Sequence, residues 1–476
     1  MRHQILSVLA ALLASTACGD LTSINNNPNG PTDVQPPSML SSAIQTVVDR
    51  VDGPNNNLDI RGGGLWVQYY AEIQYRDEDK YIVRPGVDGE WGMYSGPLED
   101  FQRMINKGVA AGVPNWEAVG RIMKSYAFSV MTDAMGDIPY SEAFQERALL
   151  TPKYDTQQAI YTALFADLAK ASQQIDPAGI GFSSGDIMYG GDMTLWRKFA
   201  NSLRLRLAMH LTNVAPATAQ SEALAAVTAG VFASNDESAQ LMYLASAPNQ
   251  NPIYTNVHVD KRDDYGMSKT LVDSMRSWND PRLPIYAQPN DTGAYEGLPN
   301  GLNDGAGPEL KYISRFGTFW RETPAAPLAL LTYSEVLFLE AEAAERGWIT
   351  GNAAQLYADA IRASMEQYGI ATTAIDAYLA QPRVVYAGGA AGLTQIAYQK
   401  WVSLFMQGME GWTEVRRTGV PALVPGPNAK LTKIPERLPY SDNEAVLNKA
   451  NLDAAVAAQH FSSSTDLTTP LWFTGR

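Results

Sequence analysis

The sequence is dominated by apolar residues that recur at helical spacing, and the clearest run lies between Trp116 and Met135. Its apolar positions are Trp116, Val119, Ile122, Met123, Tyr126, Ala127, Val130 and Met131. Because side chains three and four positions apart share one helix face, this spacing predicts a helix with a broad buried side. Gly136 and Pro139 follow, and both are typical of a helix end.

A second region predicts two helices that pack closely together. Thr332 and Glu335 form a capping box that opens a helix over 333–346, and a partner helix is expected over 352–368. The partner keeps the small and aromatic spacing of a tetratricopeptide helix at Ala353, Tyr357 and Ala360. The rest of the tetratricopeptide pattern is absent, so this signal by itself is weak.

Other helices are predicted at 39–51, at 98–109, from an N-cap at Asp155, at 195–211 and at 394–417. Alternating strand patterns are few. Long loops rich in Gly, Pro, Asn and aromatic residues separate the helices, and long ordered loops are commonly functional. The expected fold class is therefore mainly α, built from antiparallel helix pairs joined by long loops.

The composition excludes several classes of protein. The chain of 476 residues has 36 basic and 50 acidic side chains and a net charge of −14, which disfavours nucleic-acid binding. A single cysteine excludes a disulfide-held fold. Four histidines leave little room for a multi-histidine metal centre.

The N-terminus has the layout of an export signal that ends at a cysteine. A basic start and an apolar run too short to span a membrane occupy residues 1–17, and the only cysteine, Cys18, follows small residues. We expect 1–17 to be a lipoprotein signal peptide and Cys18 to be lipidated, although Ser15 stands where such sites usually carry leucine. Residues 18–38 are rich in Asn, Pro and Gly and predict a flexible tether, with the helical domain over 39–476.

Three patterns suggest catalysis or metal binding, but each has a simpler structural interpretation. Residues 181–185 match G-x-S-x-G, yet loop residues flank them where a nucleophile elbow needs a strand and a helix. The carboxylate pairs Asp133/Asp137 and Glu342/Glu345 are better explained as caps and ion pairs. Calcium ligands at 77–79 match no known loop spacing, so a charged turn is expected there.

Aromatic residues in or beside the long loops are the candidate ligand-binding residues. Sugar rings stack on such side chains while neighbouring polar groups bond to hydroxyls. The candidate ligand platform comprises Trp91, Tyr94, Tyr295, Phe319 and Trp320. Core packing is the alternative for any one of them.

Segments spread along almost the whole chain together resemble one known family. They include NNPNGPT (26–32), MGDIPYSEA (135–143), YDTQ (154–157), YGGD (189–192), WRKFANSLRLR (196–206), DPRLP (280–284), LLTYSE (330–335), AEAA (341–344), QKW (399–401), RRTG (416–419) and IPERLPY (434–440). In these segments the chain resembles the SusD/RagB family of nutrient-binding outer-membrane lipoproteins, in its SusD-like branch.

The resemblance implies a single α/α superhelical body of tetratricopeptide-like helix pairs with ligand-binding loops, and no catalysis. We expect neither a cofactor nor a metal site. It implies capture of an oligosaccharide or peptide, which the protein delivers as a lid to a SusC-like TonB-dependent barrel. It also implies a lipid-anchored position at the outer membrane, facing the cell surface. The family shares scaffold motifs, so Asp137 and Arg417 are not expected to contact ligand. The alternatives are a surface glycoside hydrolase and a tetratricopeptide-like adaptor that binds only proteins.

Overall fold

The structure is a computed structural model that describes residues 34–52, 58, 62–84, 91–145 and 148–476. Thirteen helices of eight or more residues lie in these ranges. They are α1 (Pro36–Val51), α2 (Glu99–Ala111), α3 (Pro114–Met135), α4 (Gln157–Gln174), α5 (Met193–His210), α6 (Pro216–Ala229), α7 (Lys269–Ser277), α8 (Tyr333–Glu345), α9 (Ala353–Glu366), α10 (Thr372–Leu379), α11 (Gly389–Ser403), α12 (Gly408–Thr418) and α13 (Lys449–Ala458).

Strands are short and few in the described ranges. They are β1 (Tyr70–Glu72), β2 (Ala239–Leu241), β3 (Tyr265–Met267) and β4 (Leu328–Leu331). β1 pairs with β3 and β2 with β4, both antiparallel, as two separate ribbons. The mainly helical fold class is thereby confirmed.

Consecutive helices form hairpins along the chain. α2 packs on α3, α5 on α6 and α8 on α9, while α4 bridges α3 and α5. A two-residue turn joins α2 to α3, and its Gly112 has a φ of +65°. This conformation suits glycine, and it lets the two helices run back along each other.

The α8–α9 hairpin matches its sequence prediction closely. Thr332 caps α8 by accepting from the Glu335 backbone N–H, and Asn352 caps α9 in the same way. Tyr357 and Ala360 are fully buried in a small core that α8 and α9 share with α10 and α11. A much larger core holds the rest of the helices together.

Three predicted helix boundaries were wrong. The expected helix over 394–417 is two helices, α11 and α12, because the helical backbone breaks near Met406, which has a φ of +72°. Thr156, not Asp155, caps α4, since the Asp155 carboxylate accepts from the Tyr140 and Ser141 backbone N–H groups. α1 begins at Pro36, inside the segment predicted as tether.

Buried charges bind the hairpins to each other. The Arg206 guanidinium on α5 donates to both oxygens of Glu335 on α8 at 2.7 and 2.6 Å, and both residues are buried. The Arg417 guanidinium on α12 pairs in the same bidentate way with Glu342 on α8. Such fork-to-fork pairs fix orientation as well as charge. Among the described residues, no helix is both long enough and apolar enough to cross a membrane.

Candidate functional site

An open cleft of about 640 Å³ contains two of the predicted platform residues, Trp91 and Tyr94. Phe144 adds a third aromatic side chain, and Leu150 is exposed on the rim. The polar lining residues are Ser95, Glu99, Arg103, Glu142, Gln145 and Glu444. Apolar rings beside a few polar groups, in a cleft of this volume, are typical of a small-ligand site.

The indole of Trp91 is held in place by a hydrogen bond to a buried carboxylate. Its Nε1–H donates to Oε1 of Glu444 at 3.1 Å, and the hydroxyl of Tyr154 donates to Oε2 of the same carboxylate at 2.7 Å. Asn448 donates to Glu444 at 3.2 Å. With two aromatic side chains fixed by one buried carboxylate, the half-buried face of Trp91 is pre-organised for stacking.

Rings pack around Trp91 without covering it. The ring of Tyr94 lies 5.5 Å from that of Trp91, and the rings of Tyr154 and Tyr440 lie at 6.4 and 6.3 Å. The hydroxyl of Tyr94 donates to the carbonyl of Pro139, and burial raises the pKa of Tyr94 well above its usual value. Tyr94 is therefore a neutral hydrogen-bonded wall of the cleft.

The other predicted residues lie elsewhere. Phe319 and Trp320 line a second cavity of about 510 Å³, which shares no described lining residue with the Trp91 cleft. Trp320 is only 2 % exposed and packs on Phe405 at 5.3 Å. Tyr295 lines neither cavity and packs half-buried against the large core. The structure thus brings the five residues together as two pairs and one separate side chain.

Sequence reasoning missed Phe144 and Glu444 as cleft residues. Phe144 follows the end of a helix and has a φ of +65°, a conformation that no sequence pattern predicted. Glu444 is 353 positions from Trp91 along the chain, so their contact is created only by the tertiary fold. Tyr154 and Tyr440 lie in segments that the family resemblance marked as scaffold, and their rings pack against Trp91.

The three discounted motifs have structural explanations. Ser183 lies in a loop between α4 and α5 with no flanking strand. Asp137 accepts from the Gln157 backbone N–H at 2.8 Å, and Glu345 accepts from the hydroxyl of Tyr386 at 2.7 Å. Asp79 accepts from Nδ2 of Asn300 at 2.7 Å. These carboxylates cap and cross-link the fold.

One group of described residues has the ligand types for a metal: His210, Glu410 and Glu414. The ammonium of Lys400 already lies 3.3 Å from Glu414 and 3.8 Å from Glu410. Arg206 lies 3.5 Å from Glu410. These two cations already balance the negative charge of the carboxylates. The group is therefore part of the buried ion network.

The helical hairpins, the buried ion pairs and the open aromatic cleft define a tetratricopeptide-like helical protein with a ligand-sized surface site. A family model described as starch-binding and associating with the outer membrane, the SusD-like family, matches residues 28–441. The chain belongs to this family.

Solved structures agree with the family assignment. A chitin-binding protein superposes with a TM-score of 0.81 at 29% identity, over 93% of this chain and 100% of its own. A chitin-binding SusD homologue from Flavobacterium johnsoniae has a TM-score of 0.80 at 26% identity, over 91% and 98% of the two chains. A SusD homologue from Bacteroides fragilis also has a TM-score of 0.80 at 26% identity, over 93% and 100%. No curated protein matches the sequence at a significant level.

Proposed function

We propose that this protein is a non-catalytic, lipid-anchored surface protein that binds oligosaccharides in the Trp91 cleft. It delivers them, as a lid, to a TonB-dependent outer-membrane barrel of the SusC type. The observation that carries the proposal is the half-buried indole of Trp91, which Glu444 fixes at the floor of an open cleft.

The chemistry of the cleft favours a neutral oligosaccharide. The flat faces of Trp91 and Phe144 suit the C–H faces of sugar rings, and carboxylates with Arg103 on the rim suit hydroxyl and amide groups. Two similar proteins are described as chitin-binding, and the family as starch-binding. We therefore propose oligomers of N-acetylglucosamine as the first ligand to test and starch oligomers as the second.

The hydrogen bonds and ion pairs of three cleft carboxylates support a non-catalytic role. Glu444 is committed to Trp91 and Tyr154, Glu99 pairs with Arg103 at 2.8 Å, and Glu142 accepts from the Lys153 backbone N–H. A glycoside hydrolase needs two carboxyl groups free to act on opposite sides of one sugar. We expect bound oligosaccharides to be recovered at their original length.

Replacement of Trp91 by alanine tests the site. We expect Trp91→Ala to weaken binding of an N-acetylglucosamine hexamer by about 1–3 kcal/mol in calorimetry, as for truncation of a binding hot spot. The matched control is Trp348→Ala, because Trp348 is also half-buried but lies outside the cleft. Equal affinity of the two variants for both the chitin and the starch oligomers would contradict the proposal.

A further inference from the structure

The second cavity, lined by Phe319 and Trp320, has its own chemistry. It lies between the turn Asn235–Glu237, strands β2 and β4, and the C-terminal end of α9. Its volume of about 510 Å³ is within the range of small-molecule sites. No described residue lines both this cavity and the Trp91 cleft, so the two can be tested separately.

One wall of the cavity is aromatic. The rings of Phe319 and Tyr368 lie 5.3 Å apart, Trp320 and Tyr368 lie 5.7 Å apart, and Trp320 packs on Phe405. Phe319 and Tyr368 are half-buried, so part of this wall remains open to the cavity. Ring faces of this kind attract cations as well as apolar surface.

The charged side chains of the cavity are all acidic. Asp236 and Glu366 line it and are exposed, and neither forms an ion pair with a residue in the described ranges. Within those ranges, no lysine, arginine or histidine lines the cavity. Glu366 is also the last residue of the 14-residue helix α9, and the C-terminal end of a helix carries a partial negative charge.

Local contacts keep the two carboxylates on the same cavity. Nδ2 of Asn235 donates to the carbonyl of Ala363 at 3.0 Å and so ties the turn of Asp236 to α9. The neighbouring carboxylate, Glu237, is neutralised by Lys198 at 2.5 Å. Asp236 is thus the member of this turn that remains without a cation.

We propose that this cavity binds a small ligand that carries a protonated amine. Such a group satisfies the two carboxylates, the helix end and the aromatic wall together, whereas an anion is repelled by all of them. The same chemistry occurs in an amino sugar with a free amine and in a lysine side chain of a short peptide. The proposal concerns a different cavity from the oligosaccharide cleft and does not rest on it.

The probe is the disaccharide of glucosamine, compared with its N-acetylated form, in which the charge is removed and the sugar ring kept. We expect the free-amine disaccharide to bind the full chain more tightly, with an affinity that falls as salt is raised. The double substitution Asp236→Asn with Glu366→Gln is expected to reduce this affinity about tenfold or more. A matched control is Asp291→Asn, because Asp291 is an exposed carboxylate outside the cavity.

Two results would overturn the proposal. One is equal affinity for the free-amine and N-acetylated disaccharides, and the other is an unchanged affinity in the double variant. A parallel titration with a lysine-containing dipeptide distinguishes the two sources of the amine. Trp91→Ala should leave binding of the amine unchanged, so failure of the oligosaccharide proposal and failure of this one are separate outcomes.

Discussion

Glu444 organises the candidate oligosaccharide site although it offers the ligand little of its own surface. Its two carboxylate oxygens accept from Trp91 and Tyr154, and its side chain is 9% exposed. A group of this kind acts on a ligand through the ring that it holds. Its contribution should therefore depend on its ability to accept two hydrogen bonds.

Replacement of Glu444 tests this positioning role. Glutamine has one acceptor oxygen and one amide donor, so Glu444→Gln should retain one of the two contacts and weaken oligosaccharide binding less than Glu444→Ala. For the alanine variant we expect a loss of about 1–2 kcal/mol in calorimetry, with greater solvent exposure of Trp91 in its fluorescence. Asp453→Asn, at an exposed carboxylate paired with Lys449, is the control. Identical affinities and spectra for all three variants would contradict a positioning role.

His210 is a buried histidine that lies between two carboxylates. Its Nδ1 lies 3.1 Å from Asp133, its Nε2 lies 3.0 Å from Glu410, and the hydroxyl of Tyr161 also contacts Nδ1. Burial by itself would lower the pKa of His210. The contacts with Glu410 and Asp133 have the larger effect and raise the pKa to about 9. The folded protein therefore holds this proton more tightly than the unfolded chain, in which the pKa is about 6.5.

The free energy of unfolding should consequently fall as the pH rises through this window. The contribution of His210 is complete below about pH 6.5 and is lost as the pH rises to about 9, a decline of about 3 kcal/mol. Denaturant unfolding at several pH values measures it. In His210→Gln the overall stability is lower but this part of the slope is absent. An equal slope in the two proteins would show that His210 does not hold the proton.

At the residue scale, the loop pattern identified candidate aromatic side chains but did not predict how deeply each one is buried. Trp91 and Tyr94 are close in the chain and line one cleft. Trp320 has the same loop signal but is buried, because Phe405 from a distant turn covers it. Burial depends on contacts that are distant in sequence, so composition of a loop does not determine it.

The α2–α3 hairpin depends on two glycines that allow its helices to approach. A Cβ on Gly120 would lie 2.9 Å from Cγ1 of Ile105 and 3.0 Å from the carbonyl of Phe101. A Cβ on Gly108 would lie 2.5 Å from the backbone nitrogen of Glu117. The close packing of this hairpin therefore requires the absence of side chains at both positions.

Gly120→Ala should destabilise the protein in spite of the higher helix propensity of alanine. The propensity gain is about 1 kcal/mol, and the overpacking costs about 1–3 kcal/mol because a backbone carbonyl must move. Thermal unfolding measures the balance, and we expect a lower Tm. Ala110→Leu adds more volume on the exposed face of α2 and should leave the Tm unchanged. A Tm for Gly120→Ala at or above that of the wild type would refute this packing argument.

At the scale of helices and strands, helix ends were predicted correctly where the cap and stop residues contact only the helix that they begin or end. Thr332, Asn352 and Gly347 do so, and α8 and α9 lie where they were predicted. The break between α11 and α12 was missed because apolar residues continue through it. Leu404 and Phe405 are as buried as the helical residues around them, so periodicity gives no sign that the helix breaks there.

The molecule as a whole is organised by ion pairs between distant segments. Lys400, Glu410, Glu414 and Arg417 from α11 and α12 lie among the charges of α3, α5 and α8. The family resemblance identified several of their segments as scaffold, and the structure gives the physical reason, since each buried charge needs a partner on another helix.

The lipid anchor and the barrel partner are predictions about the whole molecule. Cys18 lies outside the described residues, and 18 positions separate it from Pro36, where α1 begins. Since a fully extended chain spans at most about 3.5 Å per residue, a lipid on Cys18 would keep α1 within about 60 Å of the membrane surface. Two or more acyl chains are needed for stable anchoring.

We expect the native protein to partition into detergent with an outer-membrane fraction, and Cys18→Ala to be recovered in the aqueous phase. We also expect a TonB-dependent barrel to co-purify with the tagged wild-type protein in near-equal amounts, as measured by mass spectrometry. Trp91→Ala should retain both properties, because it alters the oligosaccharide cleft and leaves the anchor intact. Aqueous recovery of the wild-type protein would exclude the lipid anchor. Recovery of an anchored protein without a barrel, in detergents that preserve such complexes, would separate ligand binding from delivery and would favour a capture protein that acts alone.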